Sequence, residues 1–391
     1  MKSKIRTNYF PEFSAMLFGR TKPSMVTVNL TNKCNQRCVY CEIGKEISST
    51  SKDELKVDDL KWIIDEMAKN KINRLSLCGG EPFLFEGILE VVNYANTKNI
   101  KCTITTNGMT VFKLSEVDLN VLKNCETLIN ISIDSFDENI ETLTRGTSYA
   151  LSNALKSIEK LHEKQILVTV LTAISKYNYH ELSKFLIQAH KIGIKQVLFQ
   201  PIIYFSNYPD RKTIDEKTQL NVKVENFDVL NLELKKILKF EKKHNINTNV
   251  YRILPWIEHY LKTAENKNGK WFFESVLRKF YCRDLYAIID IAYDGGIQPC
   301  GLALAKINIH ENRNLGLINL WSNATQGIKN ELDNGKYRPI CNGCCHHFSR
   351  NMLASIMKYP IKNRVAAVKM SKLLISRILS RFYQDFIKNY L

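Results

Sequence analysis

"MVTVNLTNKCNQRCVYCEIG", residues 25–44, runs from a β-branched stretch directly into three cysteines, Cys34, Cys38 and Cys41. The stretch has the composition of a strand, so the thiols stand just past a strand end. On a (β/α) barrel the loops at the C-terminal ends of the strands carry the chemistry, and the position therefore suits a site. A structural zinc wants four ligands, and no fourth Cys or His lies nearby. An iron–sulfur cluster held by Cys thiolates tolerates a missing ligand and leaves one iron open to bind something else.

Beyond this stretch the same alternation continues. "RLSLC" (74–78), "KCTITT" (101–106), "LINISI" (128–133), "ILVTVLTAI" (166–174) and "QVLFQPI" (196–202) are further strands, separated by stretches of helical period. Helices are expected over 57–70, 149–164 and 178–193; in the first, Leu60, Ile63, Ile64 and Met67 form one stripe to be buried. Six strands with five intervening helices predict an α/β fold, a partial (β/α)6 TIM-type barrel. The reading divides the chain into an extension (1–24), the barrel (25–205), a helical connector (206–280), a small loop-rich unit stabilised by metal (281–349) and a basic tail (350–391).

The chain has 391 residues, 45% hydrophobic and 24% charged, with no apolar run long enough to span a membrane. No signal peptide is seen at the start, so the expected location is the cytoplasm, where eleven cysteines serve better as metal ligands than as disulfides. The net charge is +17, and residues 350–391 hold nine Lys or Arg against one acid, Asp385. With the excess concentrated in one tail and no RNA-binding module, a nucleic-acid partner is not expected. Val368, Ile375, Ile378, Leu379, Phe382 and Phe386 line one side of that tail, which suits a helix docked on the barrel or one resting on an anionic membrane.

"CNQRCVYC" (34–41) resembles the CX3CXΦC signature of the radical S-adenosylmethionine (SAM) superfamily, with Tyr40 as the aromatic. "CGGEPFL" follows the second strand and "TTNG" the third, in the order of that family. The resemblance implies a [4Fe–4S] cluster on Cys34, Cys38 and Cys41 that binds SAM. It implies that Gly79 and Gly80 admit the cofactor closely, that groups around Glu81 meet its methionine end, and that Thr106 and Asn107 also bind the cofactor. "ISIDSFDENIETLTRG" (131–146) resembles the family's fourth-strand segment, which would bring Ser132 and Asp134 to the ribose and Arg145 to the SAM carboxylate.

A second set of cysteines follows. Cys282 is followed after twelve residues by Gly295 and after four more by Cys300, and "CNGCC" adds Cys341 and Cys344. Zinc ribbons usually offer two close CXXC pairs, whereas here the first two cysteines stand eighteen positions apart, which makes structural zinc the lesser alternative. The pattern resembles the auxiliary-cluster domain called SPASM or twitch, without the cysteines that a second auxiliary cluster needs. Four thiolates close a [4Fe–4S] cluster fully, leaving it to pass electrons or hold the fold. Cys345 is an alternative to Cys344.

The resemblance implies an enzyme in which a reduced cluster cleaves SAM to methionine and a 5′-deoxyadenosyl radical that takes a hydrogen atom from substrate. Four auxiliary cysteines resemble the radical SAM dehydrogenases, so oxidation of an alcohol or sugar-type small molecule is expected, with an external one-electron reductant such as flavodoxin or ferredoxin. The rival readings are a maturase that crosslinks a peptide and a redox-neutral epimerase. No general base is assigned; Glu42 is a candidate only through its place near a strand end.

Overall fold

The expected strands form where the β-branched runs fall: Met25–Asn29 (β1), Arg74–Cys78 (β2), Lys101–Thr106 (β3), Leu128–Ser132 (β4), Val168–Ile174 (β5) and Gln196–Pro201 (β6). The structure, a computed structural model, describes residues 23–41, 54–202, 219–265, 281–300, 307–338, 341, 355–357 and 361–364. Among these residues four further strands appear: Asn247–Thr248 (β7), Ile288–Ile291 (β8), Gly296–Gln298 (β9) and Ile307–Asn308 (β10). All ten lie in one open sheet in the order β10-β9-β8-β1-β2-β3-β4-β5-β6-β7. From β8 to β7 every pairing is parallel; β9 pairs antiparallel with both β8 and β10 and so runs against the other strands. The fold is α/β with a partial, open barrel, as the six strands predict. The sequence gives no separate sign of β7 or of the pairing of β8 with β1, because both are long-range matches between short runs.

The helices that cover the outer face are Val57–Lys69 (α1), Ile88–Thr97 (α2), Glu116–Asn124 (α3), Glu138–Arg145 (α4), Ala150–Glu163 (α5) and Leu182–Lys191 (α6). Beyond the barrel lie Phe227–Lys243 (α7), Ile257–Glu265 (α8) and Leu317–Asp333 (α9). Leu60, Ile63, Ile64 and Met67 of α1 are all buried, as their spacing requires. The helix expected from residue 178 starts four residues later. Asn178 explains the delay: its side chain accepts from the Ser175 N–H and donates to the carbonyls of Ala173 and Asp134, which fixes a turn before α6.

The two faces of the sheet differ in chemistry. Val26, Val28, Leu75, Leu77, Ile104 and Ile129 point outward beneath the helices and are fully or almost fully buried. Their alternates Asn29, Ser76, Thr105, Asn130 and Ser132 point inward and are only part-buried. Parallel strands packed on both faces are near-continuous apolar runs, whereas the inner face lining this barrel's lumen mixes these polar residues with Met25, Leu128, Leu171 and Leu198.

Among the described residues no helix is long and apolar enough to cross a membrane. The amphipathic stretch from 365 to 391, Glu42 and Cys344 with Cys345 lie outside the described residues.

Candidate active site at the strand ends

The loop after β1 is held by backbone contacts before any side chain is considered. The N–H of Gly80 donates to the Thr31 carbonyl and that of Glu81 to the Lys33 carbonyl, both at 2.8 Å. At Gly80 a Cβ would stand 2.1 Å from the Lys33 carbonyl oxygen, so only glycine permits this approach. On the other side, Arg37 N–H donates to Arg145 O and Val39 N–H to Thr144 O, which straps the loop to the end of α4. Gly146, at φ +64°, lies so close to Arg37 that a Cβ would stand 2.0 Å from its carbonyl oxygen.

Within this frame the three thiols share one loop. The Gln36 N–H donates to the Cys34 sulfur at 3.4 Å, and the Cys38 thiol donates to Gln36 Oε1 at 3.6 Å. Burial pushes the Cys34 thiol up and carries that of Cys38 to about 12, while Cys41 lies within electrostatic reach of both. Among the described residues no three His, Cys, Asp or Glu side chains are gathered at metal-binding distance. The donor set nevertheless fits an iron–sulfur cluster chemically. Three thiols occupy one loop, and cationic or amide N–H groups face two of them: Arg145 Nη1 lies 4.0 Å from Cys38 Sγ and Asn107 Nδ2 3.9 Å from Cys34 Sγ. The buried Nδ2 of Asn32 has no hydrogen-bond partner in the chain, which leaves a donor for a bound group.

Glu81, expected near the methionine end of SAM, is fully buried, and its carboxylate is engaged by the chain itself. Oε1 accepts from the Thr106 hydroxyl at 2.6 Å and the Phe83 N–H at 3.1 Å, and Oε2 accepts from the Asn107 N–H at 2.8 Å. Thr106 and Asn107 are thereby brought to the site; Asn107 Nδ2 also donates to Asn35 Oδ1 at 2.7 Å. Ser132 lies on the inner face of β4, apart from these bonds.

Tyr40, Asp134, Arg145 and Cys38 do come together. Arg145 Nη2 donates to Asp134 Oδ1 at 2.9 Å, the Tyr40 hydroxyl donates to Asp134 Oδ2, and the Ala173 N–H donates to Asp134 Oδ1 at 2.8 Å. Glu141 Oε1 stands 3.6 Å from Arg145 Nε, and its Oε2 accepts the N–H groups of Asp134 and Ser135. Glu141, Asn178 and Asn35 were missed from the sequence. For Glu141 a signal existed, since it precedes Arg145 by one helical turn. Asn178 gives none, because its contact with Asp134 spans 44 residues.

One guanidinium serves two buried carboxylates here, and this has a pH consequence. Burial pushes the Glu141 carboxyl up from 4.5 to about 7, with Arg145 opposing and Asp134 adding to the rise. Between those values the folded chain keeps a proton that the unfolded chain releases. Stability is therefore greatest below this window and falls as pH rises through it, by at most ~1.4 kcal/mol per unit. Urea midpoints are expected to decline from about pH 5 to about pH 7, and Glu141→Gln to flatten that slope; an unchanged slope would contradict the assignment.

In the second set, Cys282 and Cys300 pack against Leu285, Ile328 and Leu332. Burial pushes the Cys282 thiol far up and the Cys341 thiol to about 11, and Cys300 and Cys341 both add to the rise at Cys282. Three of the four expected ligands thus share one neighbourhood.

Residues 28–189 match the Radical SAM superfamily. The GTP 3′,8-cyclase of Clostridium perfringens is 27% identical over 299 residues, 74% of this chain and 84% of that protein. The antilisterial bacteriocin subtilosin biosynthesis protein AlbA of Bacillus subtilis is 24% identical over 173 residues, covering 44% of this chain and 38% of AlbA. Among solved structures, Streptococcus suis SuiB bound to S-adenosylmethionine shares the fold with a TM-score of 0.59 at 17% identity, over 79% of this chain and 68% of SuiB. The strand-end loop with its three thiols falls inside the matched segment, and residues 28–189 are accordingly a radical SAM domain, whose cofactors are S-adenosylmethionine and a [4Fe–4S] cluster.

Proposed function

We propose that this chain is a radical SAM oxidoreductase acting on a hydroxyl-bearing small molecule of the alcohol or sugar type. Residues 25–205 form the barrel in which hydrogen abstraction occurs, and residues 281–349 hold a second [4Fe–4S] cluster through Cys282, Cys300, Cys341 and Cys344. When bound, SAM and the first cluster supply a 5′-deoxyadenosyl radical able to remove a hydrogen atom from carbon.

The observation that carries the substrate class is the lumen. Asn29, Thr105, Asn130, Ser132 and Thr169 present hydroxyls and amides on the inner face; Asn130 donates to Thr105 and Thr169 to Gln196, both at 3.2 Å. Among the described strand residues on that face, charge is confined to Arg74 and Lys101 at the N-terminal ends and to Asp290, which pairs beside Thr27. Such groups donate to and accept from hydroxyls, whereas a triphosphate calls for Arg or Lys at the reacting end. The lumen favours a polyol over the nucleotide named for the cyclase relative. The chain orients the substrate by these bonds, and the apolar outer core keeps water from the strands.

The test is anaerobic reconstitution, with 5′-deoxyadenosine formation measured in the presence of myo-inositol, glucosamine, GTP or a peptide panel. At least a roughly tenfold stimulation by a cyclitol or sugar, lost in Asn130→Leu, is expected. Stimulation by GTP alone would overturn the substrate class. About eight irons per chain, falling to about four in Cys282→Ala/Cys300→Ala, are expected for two clusters; about four in both would favour the redox-neutral reading. A second reading, peptide crosslinking, draws on the likeness to AlbA and to SuiB, which has been solved with its precursor peptide SuiA. Stimulation by peptides would select it. In either reading the reducing electron comes from an external carrier of the flavodoxin or ferredoxin type.

A further inference from the structure

Arg145 is buried, and the loop it faces is also held by contacts that do not involve its side chain. The strap between the loop and α4 is made by the carbonyls of Thr144 and Arg145 and by the absence of a Cβ at Gly146. The guanidinium is instead fixed from behind. Asp134 takes Nη2 at 2.9 Å and is itself pinned by Ala173 N–H and the Tyr40 hydroxyl; Glu141 stands 3.6 Å from Nε and is pinned by two backbone N–H groups. Nη1 is left directed at the Cys38 sulfur, 4.0 Å away, and the guanidinium carbon lies 5.8 Å from the Tyr40 ring centroid. Two acids on the far side of one base hold the base in place and leave one N–H edge free for the thiol.

We propose that Arg145 is a positioning residue that sets the reduction potential of the SAM-binding cluster through a charge-assisted N–H···S bond to the Cys38 thiolate, with Asp134, Glu141 and Tyr40 aiming it. This rests on the reading that Cys34, Cys38 and Cys41 hold that cluster. Reduction adds one electron, supplied by a low-potential one-electron carrier, and neither makes nor breaks a bond. The added negative charge is stabilised by a cation on the ligand sulfur, so the guanidinium favours the reduced form; hydrogen bonds to cluster sulfurs act in this direction. The Tyr40 hydroxyl draws charge out of Asp134 and so keeps the carboxylate from pulling Arg145 off the sulfur.

The test uses the full chain in the Cys282→Ala/Cys300→Ala background, reconstituted anaerobically, with iron and sulfide counted and the midpoint potential read by EPR redox titration without SAM. Arg145→Gln is expected to load iron and shift to lower potential. Arg145→Lys, which keeps the charge but loses the fork, should fall between it and the parent, and Tyr40→Phe should shift in the same direction by less. Loaded variants with the parental midpoint would overturn the proposal and leave Arg145 a packing residue. If Arg145→Gln does not fold, Arg145→Lys and Tyr40→Phe decide in the same way. A parent that binds no iron would instead defeat the cluster reading, and the proposal with it.

Discussion

Glu81→Ala is expected to cost roughly 3–5 kcal/mol of stability and to abolish iron loading at Cys34, Cys38 and Cys41. The carboxylate is fully buried and joins three segments: the Phe83 N–H of its own turn, and the Thr106 hydroxyl and Asn107 N–H at the end of β3. Its backbone N–H holds the Lys33 carbonyl, and Asn107 in turn reaches Asn35 and the Cys34 sulfur. Burial pushes the Glu81 carboxyl up, against the pull of the Thr106, Asn107 and Phe83 bonds. Truncation leaves the buried Thr106 and Asn107 donors and the part-buried Phe83 N–H without that acceptor, each buried one worth ~1–3 kcal/mol, and the effects overlap because one loop relaxes for all. Glu81→Gln keeps the shape but turns one acceptor into a donor facing a donor, so a smaller loss is expected. Urea midpoints and iron content check both variants. A Glu81→Ala protein within ~0.5 kcal/mol of the parent would show that these bonds do not brace the loop.

What the sequence made legible follows from the range of each signal. Strand runs such as "RLSLC" and the stripe of α1 are local, and the structure reproduces them to within a residue or two at most ends. The grouping of Cys34, Cys38 and Cys41 in one strand-end loop was legible because the three sit within eight positions of one another. The role of Glu81 was less so: its motif marks the place, but whether the carboxylate faces a cofactor or its own loop depends on Thr106 and Asn107 in the next strand. Arg145 likewise appears in a recognisable segment, while its partners Tyr40 and Asp134 meet only when loop and strand are assembled. The attachment of β8 to β1 was hidden altogether, since its register joins residues over 260 positions apart.

That attachment makes the C-terminal unit part of the barrel's stability, and a chain ending at residue 280 is expected to be insoluble or to lack fixed packing. In the full chain β8 pairs in parallel with β1 from Met25↔Ile288 to Val28↔Ile291, and Ser24 N–H donates to the Ala287 carbonyl. Helix α9 covers the same corner: its Leu317 N–H donates to Glu66 of α1 at 2.9 Å, and Trp321 Nε1 donates to the Ile288 carbonyl at 3.0 Å. Arg313 pairs with Asp59 of α1. Ile289, Ile291, Leu317, Leu320 and Trp321 are all buried in the one core shared with α1 and β1. At ~1.5–3 kcal/mol for each buried side chain, their loss rivals the ~5–15 kcal/mol by which a domain is stable. Truncation would also expose β1 as an unpaired edge beside the three-cysteine loop, a template for aggregation. Near-UV circular dichroism and dye binding on residues 1–280 measure the outcome. Sharp cooperative unfolding with iron held by Cys34, Cys38 and Cys41 would make the C-terminal unit a separable domain; its failure would mean that β8, flanked in sequence by Cys282 and Cys300, is a strand the first site needs in order to fold.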